Sequence, residues 1–392
     1  MRISVDLTAT RSRGTLVYCT GFLPALLQIA REDEFTVFVS PTLARHLTPA
    51  LVASCRLHEV SIADHQTLRV LWGQCVLPVL LRRARADVLY GAFGILPLRS
   101  SCPSLLSIQD PAPYASSNYD YPWQVKVGNR LRRRLAELSC RKAARVFFPS
   151  HTAAALLGHS LGVPEEKRSI VYHGVDRDLW SRRVDPIPTL NRYGIGSSPY
   201  ILFVSQLYRQ KHPEVLIRGF AEWVSASGKP DCRLVFAGDP PDRAFDRELR
   251  RLAARLAISE RTMFLGQVPQ ADVPSLYQGA SCFVLPTSLE TFGFPFVEAL
   301  ASGVPVICAD IPVAREICGN AALYFPVGDA ATLALRLEDI MNGSESRRDR
   351  MISEGYKQSS QFSWERVGHE IMTLLHEVGN AGGRGHRRLS FT

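Results

Sequence analysis

The residues best placed to do chemistry are two glutamates eight positions apart, in Cys282-Phe-Val-Leu-Pro-Thr-Ser-Leu-Glu290-Thr-Phe-Gly-Phe-Pro-Phe-Val-Glu298. An ionised carboxylate only accepts hydrogen bonds and hydroxyls donate them, so such a pair suits the hydroxyls of a sugar or a ribose. The surrounding residues predict how the pair is held. An apolar strand ends at Pro286, a loop carries Glu290 and Gly293, Pro295 suits the first turn of a short helix, Gly303 suits its end, and a new strand starts at Val304. In open parallel sheets ligands bind beyond the carboxyl ends of the strands, where a helix N-terminus offers N–H groups and a positive dipole end to phosphate. Glu290 is expected on that loop and Glu298 in the first helical turn. Either glutamate alone reads as an ordinary loop or helix-start residue. The two around a Thr-Phe-Gly-Phe-Pro loop between strands read as a site.

The rest of the chain supplies the frame. Its 392 residues, 46% hydrophobic and 21% charged, are enough for two globular domains and too apolar for disorder. Strands are predicted at 2–5, 35–39, 87–90, 104–108 and 146–148, and again at 200–204, 233–237, 262–265, 282–285 and 304–308, with helical patterns between them. In the helix starting near Leu68, the apolar set Leu71, Trp72, Cys75, Val76, Val79 and Leu80 follows the i, i+3, i+4 rule, with a kink expected at Pro78. The alternation predicts an α/β fold of two doubly wound domains, at 1–185 and 186–378, joined at Asp185-Pro186-Ile187-Pro188. The basic tail 379–392 is expected to be disordered.

Composition closes off several classes. The nine cysteines form no Cys-x-x-Cys pair, so neither a disulfide framework nor a zinc site is signalled, and most are expected to be buried apolar groups. The charge-free apolar stretch at 70–81 is 12 residues long, short of the ~18 that suggest a membrane span. Asp6 stands where a signal peptide needs apolar residues, so a cytoplasmic location is expected.

Positive charge is concentrated in the first half, where residues 1–180 hold 22 Lys/Arg against 14 Asp/Glu. The densest patch, 126–145, has Lys126, Arg130, Arg132, Arg133, Arg134, Arg141, Lys142 and Arg145 against Glu137 alone. Val127, Leu131, Leu135 and Leu138 recur there at helical spacing, flanked by most of the arginines, as in a helix lying on an anionic membrane face. A solvated helix whose stripe packs on its own domain is the alternative. Nucleic acid is not expected as a partner, because no binding motif or interleaved aromatic residue accompanies the charge.

The segment Glu290-Thr-Phe-Gly-Phe-Pro-Phe-Val-Glu298-Ala-Leu-Ala-Ser-Gly-Val-Pro-Val resembles the nucleotide-sugar signature of family 4 of the retaining glycosyltransferases, and the likeness covers nearly the whole chain. Phe264-Leu-Gly-Gln-Val-Pro269 through Leu276-Tyr277 and Ala280 resembles the family's segment beside the nucleotide base. Ser205-Gln-Leu-Tyr-Arg209-Gln-Lys211-His resembles its basic loop on the donor diphosphate. Trp72-Gly-Gln74 with Leu77-Pro78, Ser107-Ile-Gln109-Asp110, Pro149-Ser150 and His173-Gly-Val-Asp176 match landmarks of a bacterial surface-polysaccharide subgroup similar to O-antigen mannosyltransferases.

The resemblance implies two Rossmann-like domains facing across a cleft, the GT-B architecture, with the donor held by 200–330 and the acceptor entering mainly from 1–185. It implies transfer of a hexose, with retention, from a nucleoside-diphosphate sugar to a hydroxyl of a growing lipid-linked bacterial glycan at the inner face of the cytoplasmic membrane. GDP-mannose is the best match, and neither a metal nor a cofactor is expected. Glu290 falls to the transferred sugar and Glu298 to the ribose. Phe292, Gly293 and Phe294 fall to the donor loop, Val268 to the base, Gly14 in the loop Thr10–Thr15 to the diphosphate, and Gln109 and Asp110 to the cleft. Arg209 and Lys211 would stabilise the leaving diphosphate, since charge accumulates on its oxygens in the transition state.

This sequence departs from the pattern in three places. Gln206 and Gln210 stand where the family often has an arginine, and Arg209 is taken as the substitute. Gln109 stands where histidine is common; its amide cannot carry a proton charge, although a front-face transfer in which the departing phosphate takes the acceptor proton needs none. The Gly14 loop lacks the usual paired glycines, leaving a plain basic turn as the alternative. A non-catalytic sugar-nucleotide-binding partner subunit, and a GT-B phosphorylase or epimerase, remain as alternative functions.

Overall fold

Parallel strands covered on both faces show as near-continuous apolar runs, and the runs Ile201-Leu-Phe-Val204, Leu234-Val-Phe236 and Phe283-Val-Leu285 are all fully or almost fully buried. A computed structural model describes residues 1–10, 12–111, 123–227 and 231–387. Its contacts divide the chain into two units, one comprising Met1–Gly174 and the C-terminal segment from Ser363, the other Val175–Phe362.

The first unit is built on seven parallel strands: β1 Arg2–Leu7, β2 Glu34–Val39, β3 Arg56–Glu59, β4 Val88–Gly91, β5 Ser104–Ser107, β6 Arg145–Phe148 and β7 Arg168–Ile170. Their order is β3-β2-β1-β4-β5-β6-β7. The second has six: β8 Tyr200–Val204, β9 Arg233–Ala237, β10 Thr262–Phe264, β11 Cys282–Leu285, β12 Val306–Ala309 and β13 Ala322–Phe325, in the order β10-β9-β8-β11-β12-β13. All of these ladders are parallel too. In each sheet the chain moves outward in one direction, returns to the middle and continues the other way. The switch points, β1/β4 and β8/β11, are where crevices open beyond the strand ends.

Both doubly wound domains are present as expected. The three strands absent from the sequence reading, β3, β7 and β13, lie at sheet edges and are more exposed than the central ones. β3 and β7 lack the apolar run that makes a central strand legible, whereas β13, Ala322-Leu-Tyr-Phe325, is apolar throughout and differs from the central strands only in its edge position.

The expected domain boundaries shift. Residues 175–185 belong to the second unit, where Gln278 donates to the carbonyls of Trp180 (3.2 Å) and Arg182 (2.8 Å). The supposed linker at Asp185–Pro188 instead opens the helix Ile187–Arg192, with Pro188 in its first turn. Residues 379–387, expected to be disordered, continue the helix Trp364–Arg387; 388–392 lie outside the described residues. That helix returns to the first unit, with the Trp364 ring 6.0 Å from Tyr18 and His376 Nε2 3.1 Å from Asp33.

The helical pattern at 68–83 breaks at Val76 into the helices Gln66–Cys75 and Leu77–Arg83, with Pro78 in the first turn of the second, as the kink required. The expected apolar stripe is not what faces the core. Trp72, Leu77 and Leu81 are buried, whereas Leu71 is 54% exposed and Val76 and Val79 are 42% exposed. Because the helix restarts at Leu77, its inward face is set anew and the earlier periodicity does not carry across. Seven of the nine cysteines are buried; Cys55 is half-buried and Cys75 is exposed.

Candidate active site

At the second switch point the chain leaves β8 into residues 205–212 and leaves β11 into residues 286–293, so two neighbouring strands feed two neighbouring loops. The first loop is held from the β9 side by Ser205 N–H on the Ala237 carbonyl (3.1 Å) and Leu207 N–H on that of Asp239 (2.9 Å). Gly238, at φ 147°, lies so close beneath that any Cβ would collide with the Ser205 carbonyl. A single 3-10 turn, Arg209–Lys211, follows; His212 takes a left-handed conformation (φ 49°), and the helix Pro213–Ser227 begins.

The second loop is tied to the first through one carbonyl. Gln210 O accepts from Ser288 N–H (2.9 Å) and from the Thr287 hydroxyl (3.2 Å). His212 bridges the same loops, with Nδ1 2.9 Å from the Glu214 carboxylate and Nε2 2.9 Å from Ser288 Oγ, whose hydroxyl also donates to the Gln210 carbonyl at 3.3 Å. Within this frame Lys211 Nζ donates to Glu290 Oε1, and the two side chains are only 13% and 12% exposed. A cation and a carboxylate have thus been brought together, largely out of water, at the crevice where an open parallel sheet takes its ligand.

Glu298 is placed differently from expectation. The helix Phe294–Ala301 starts after an N-cap at Gly293, so Glu298 is its fifth residue and opens the second turn. Its side chain is buried, and the Tyr277 hydroxyl donates to Oε2 at 3.3 Å. Gly293 is required twice over: its φ is +84°, and a Cβ would stand 2.5 Å from the Phe296 ring. It caps the helix with no side chain, so the backbone at this N-terminus meets whatever lies in the crevice. Phe292 is buried, edge-on to Phe294 at 5.5 Å and to Phe362 at 5.4 Å, which fixes the loop from beneath. Val268 is buried after β10, the outermost strand on this side.

Arg209 is not gathered into the pair. Its guanidinium lies over the Phe245 ring (4.4 Å) and bonds Glu248 at 3.0 Å, both partners being on the helix Arg243–Arg255.

The remaining predicted residues belong to the first unit. Gly14 is not in a loop: Ser12 caps the helix Arg13–Ile29, reciprocally with Thr15, and places Gly14 in its first turn, with open space where a Cβ would go. Asp110 is exposed. The Gln109 amide donates to Ser107 Oγ (3.0 Å) and to the Ala92 carbonyl (3.2 Å). It thereby joins a buried ladder in which Tyr18 and Tyr90 hydroxyls meet at 2.6 Å and Tyr90 donates to Ser107 at 3.3 Å. The His173 ring is tilted against Tyr18 (4.8 Å), and burial pulls it down to about 3, so it is neutral at working pH. Arg133 is held by Glu137 (3.1 Å) and the Ser160 carbonyl (3.2 Å), whereas Arg130 and Arg134 are exposed. The side chain of Lys126 lies outside the described residues.

Sequence reasoning missed Thr287, Ser288 and the tyrosine ladder. Two hydroxyl residues directly after an apolar strand could have signalled the first pair. Nothing in the spacing of Tyr18, Tyr90 and Ser107 signals the second.

Comparison with known proteins agrees with this geometry. The family model "Glycosyltransferase Family 4" matches residues 17–179, and the model "Glycosyl transferases group 1" matches residues 191–358. The O-antigen chain mannosyltransferase B of Escherichia coli is 28% identical over 180 residues, 46% of each chain. A D-inositol 3-phosphate glycosyltransferase of Nocardia farcinica is 30% identical over 231 residues, 53% of this chain and 50% of that one. This chain thus spans about half the length of the curated relatives it matches. Among solved structures, Anabaena HepE in complex with UDP and glucose superposes with a TM-score of 0.74 at 18% identity, covering 96% of this chain and all of the other. WaaG, a glycosyltransferase of lipopolysaccharide biosynthesis, gives 0.72 at 15% identity over 95% and 99%. Both share the GT-B fold class seen here, two parallel Rossmann-like sheets. With one family model on each half and a fold likeness running nearly end to end, the chain is similar to the family 4 glycosyltransferases of the GT-B fold.

Proposed function

We propose that this chain is a retaining, metal-independent hexosyltransferase that moves a sugar from a nucleoside-diphosphate donor, GDP-mannose before others, to a hydroxyl of a lipid-linked glycan. The observation that carries this reading is the buried Lys211–Glu290 pair at the β8/β11 switch point. As the bond from the anomeric carbon to the phosphate breaks, negative charge grows on the phosphate and positive charge on the sugar. Lys211 answers the first, the Glu290 carboxylate the second, and neither needs to reorganise. The acceptor oxygen bonds to the same face of the carbon, and its proton passes to the departing phosphate. The backbone at Gly293 and Phe294 suits the diphosphate, and Glu298 suits the ribose. Arg209 is assigned to the outer phosphate, Gly14 to the donor diphosphate, and Gln109 and Asp110 to the acceptor side.

The mannosyltransferase relative named for the O-antigen chain supports mannose and a bacterial glycan, and the UDP held by HepE supports a nucleoside-diphosphate donor. No helix among the described residues is long and apolar enough to cross a membrane, and attachment at the inner face of the cytoplasmic membrane is assigned to the basic first unit. A panel of nucleotide sugars scored by thermal shift tests the reading. The true donor at about 100 times its dissociation constant should stabilise by roughly 2.7 kcal/mol, and no shift from any of them would count against it. Donor binding without turnover would instead favour the non-catalytic partner subunit, for which the outward pairing of Arg209 is the supporting observation.

Glu298→Gln should raise the donor KM by about tenfold with kcat nearly unchanged, because a ribose contact alters little along the reaction and its loss removes uniform binding. Steady-state kinetics in both substrates measure this. Loss of kcat with donor affinity intact would reassign Glu298 to the reacting centre.

A further inference from the structure

Arg209 and Lys211 leave the same 3-10 turn, yet only Lys211 meets Glu290. The Arg209 guanidinium is held instead by two residues of the helix Arg243–Arg255, lying 4.4 Å over the Phe245 ring and donating to Glu248 at 3.0 Å. The two anchors differ in kind. Phe245 is 2% exposed, and Asp242 caps its helix on the N–H groups of Ala244 and Phe245 at 2.8 Å each, so the ring is a fixed seat. The Arg209 and Glu248 side chains are 54% and 56% exposed, so water and salt weaken their ion pair and it parts easily. Glu248 makes this bond across to another element although Arg251 stands three residues further along its own helix.

The backbone under Arg209 does not share this looseness. His212 N–H donates to the Arg209 carbonyl at 3.1 Å, and the Gln210 carbonyl, next in the chain, is taken by Ser288 and Thr287. The side chain is therefore the part that can move. Two residues along a chain span at most ~7 Å, so a guanidinium leaving Glu248 can reach the ligand that Lys211 meets.

We infer that Glu248 holds Arg209 withdrawn in the free protein, and that the outer phosphate of a nucleoside diphosphate in the crevice takes the guanidinium over. This rests on the diphosphate-donor reading above and deepens it by making Glu248 a positioning residue that acts through Arg209. Phosphate favours the transfer because it gives the guanidinium a bidentate, charge-assisted pair. The contact that must first be broken lowers the apparent affinity for any ligand that recruits Arg209. A monophosphate, held by Lys211 alone, recruits nothing and is indifferent to Glu248. The ion pair thus limits the preference for diphosphate over monophosphate and eases departure of the diphosphate left after transfer.

Calorimetric titration of the full chain with GDP, UDP, GMP and UMP tests it. The diphosphate that binds the wild type more tightly should bind E248A, a change at an exposed helical position, about fivefold more tightly still. Its monophosphate should bind both proteins alike. R209Q should weaken the diphosphate about tenfold, and E248A/R209Q should match R209Q, because Glu248 has no effect without its arginine. Thermal melts establish that the variants fold. Unchanged diphosphate affinity in E248A overturns the inference. So does a gain that persists in the R209Q background or extends to the monophosphates, which would mean that Glu248 merely repels anions. If the wild type binds neither diphosphate, the donor reading falls and the role of Glu248 with it; if it binds one and E248A leaves that affinity unchanged, the role of Glu248 falls alone.

Discussion

Glu290→Gln should lower kcat by about a hundredfold, roughly 2.7 kcal/mol of transition-state stabilisation, while the donor KM moves little. The substitution keeps shape and hydrogen-bonding reach and removes only charge, at a carboxylate that is 12% exposed and bonded to Lys211. In the ground state the donor sugar is neutral, so a full charge beside it contributes little. As the anomeric carbon acquires positive character that contribution grows, and its loss appears in kcat. Donor-saturated kinetics on a variant with an unchanged melt would show this, and full retention of kcat would remove Glu290 from the reacting centre.

Lys211→Met should have the larger effect, about a thousandfold in kcat/KM together with a fall in stability. The activity loss follows from removing the cation that faces the departing diphosphate. The stability loss has a separate cause. The Glu290 carboxylate is left without its partner in a largely buried position, which costs about 3 kcal/mol and should lower the melting temperature by about 5 °C or more. The double variant K211M/E290Q discriminates between the two. It should recover much of the lost melting temperature, because no unpaired charge remains, and none of the turnover. Equal melting temperatures for the single and double variants would mean that the pair is not coupled in the folded protein.

The parts of the site that were legible in the sequence are those encoded locally. Glu290, Gly293 and Pro295 follow one another along a strand, a loop and a helix start, so spacing alone places them at the carboxyl end of β11. Glu298 lies one residue deeper than expected, at the start of the second turn, because the helix begins at Phe294, directly after the left-handed Gly293 and one residue ahead of Pro295. Arg209 and Lys211 are two residues apart, yet one turns inward to Glu290 and the other outward to Glu248; that choice is made by the helix Arg243–Arg255 and by β11, both remote in sequence. The return of Trp364–Arg387 to the first unit is similarly non-local. At 66–83 the pattern was apolar on too many faces to say which one turns inward.

The most direct measurement is release of nucleoside diphosphate from a panel of GDP- and UDP-sugars by the wild-type protein in excess EDTA, with Glu290→Gln run beside it. The expected result is consumption of at least one donor despite the chelator, slowed about a hundredfold in the variant. Consumption that requires added Mg²⁺ or Mn²⁺, or that proceeds equally in Glu290→Gln, would contradict a metal-free transfer organised by the Lys211–Glu290 pair.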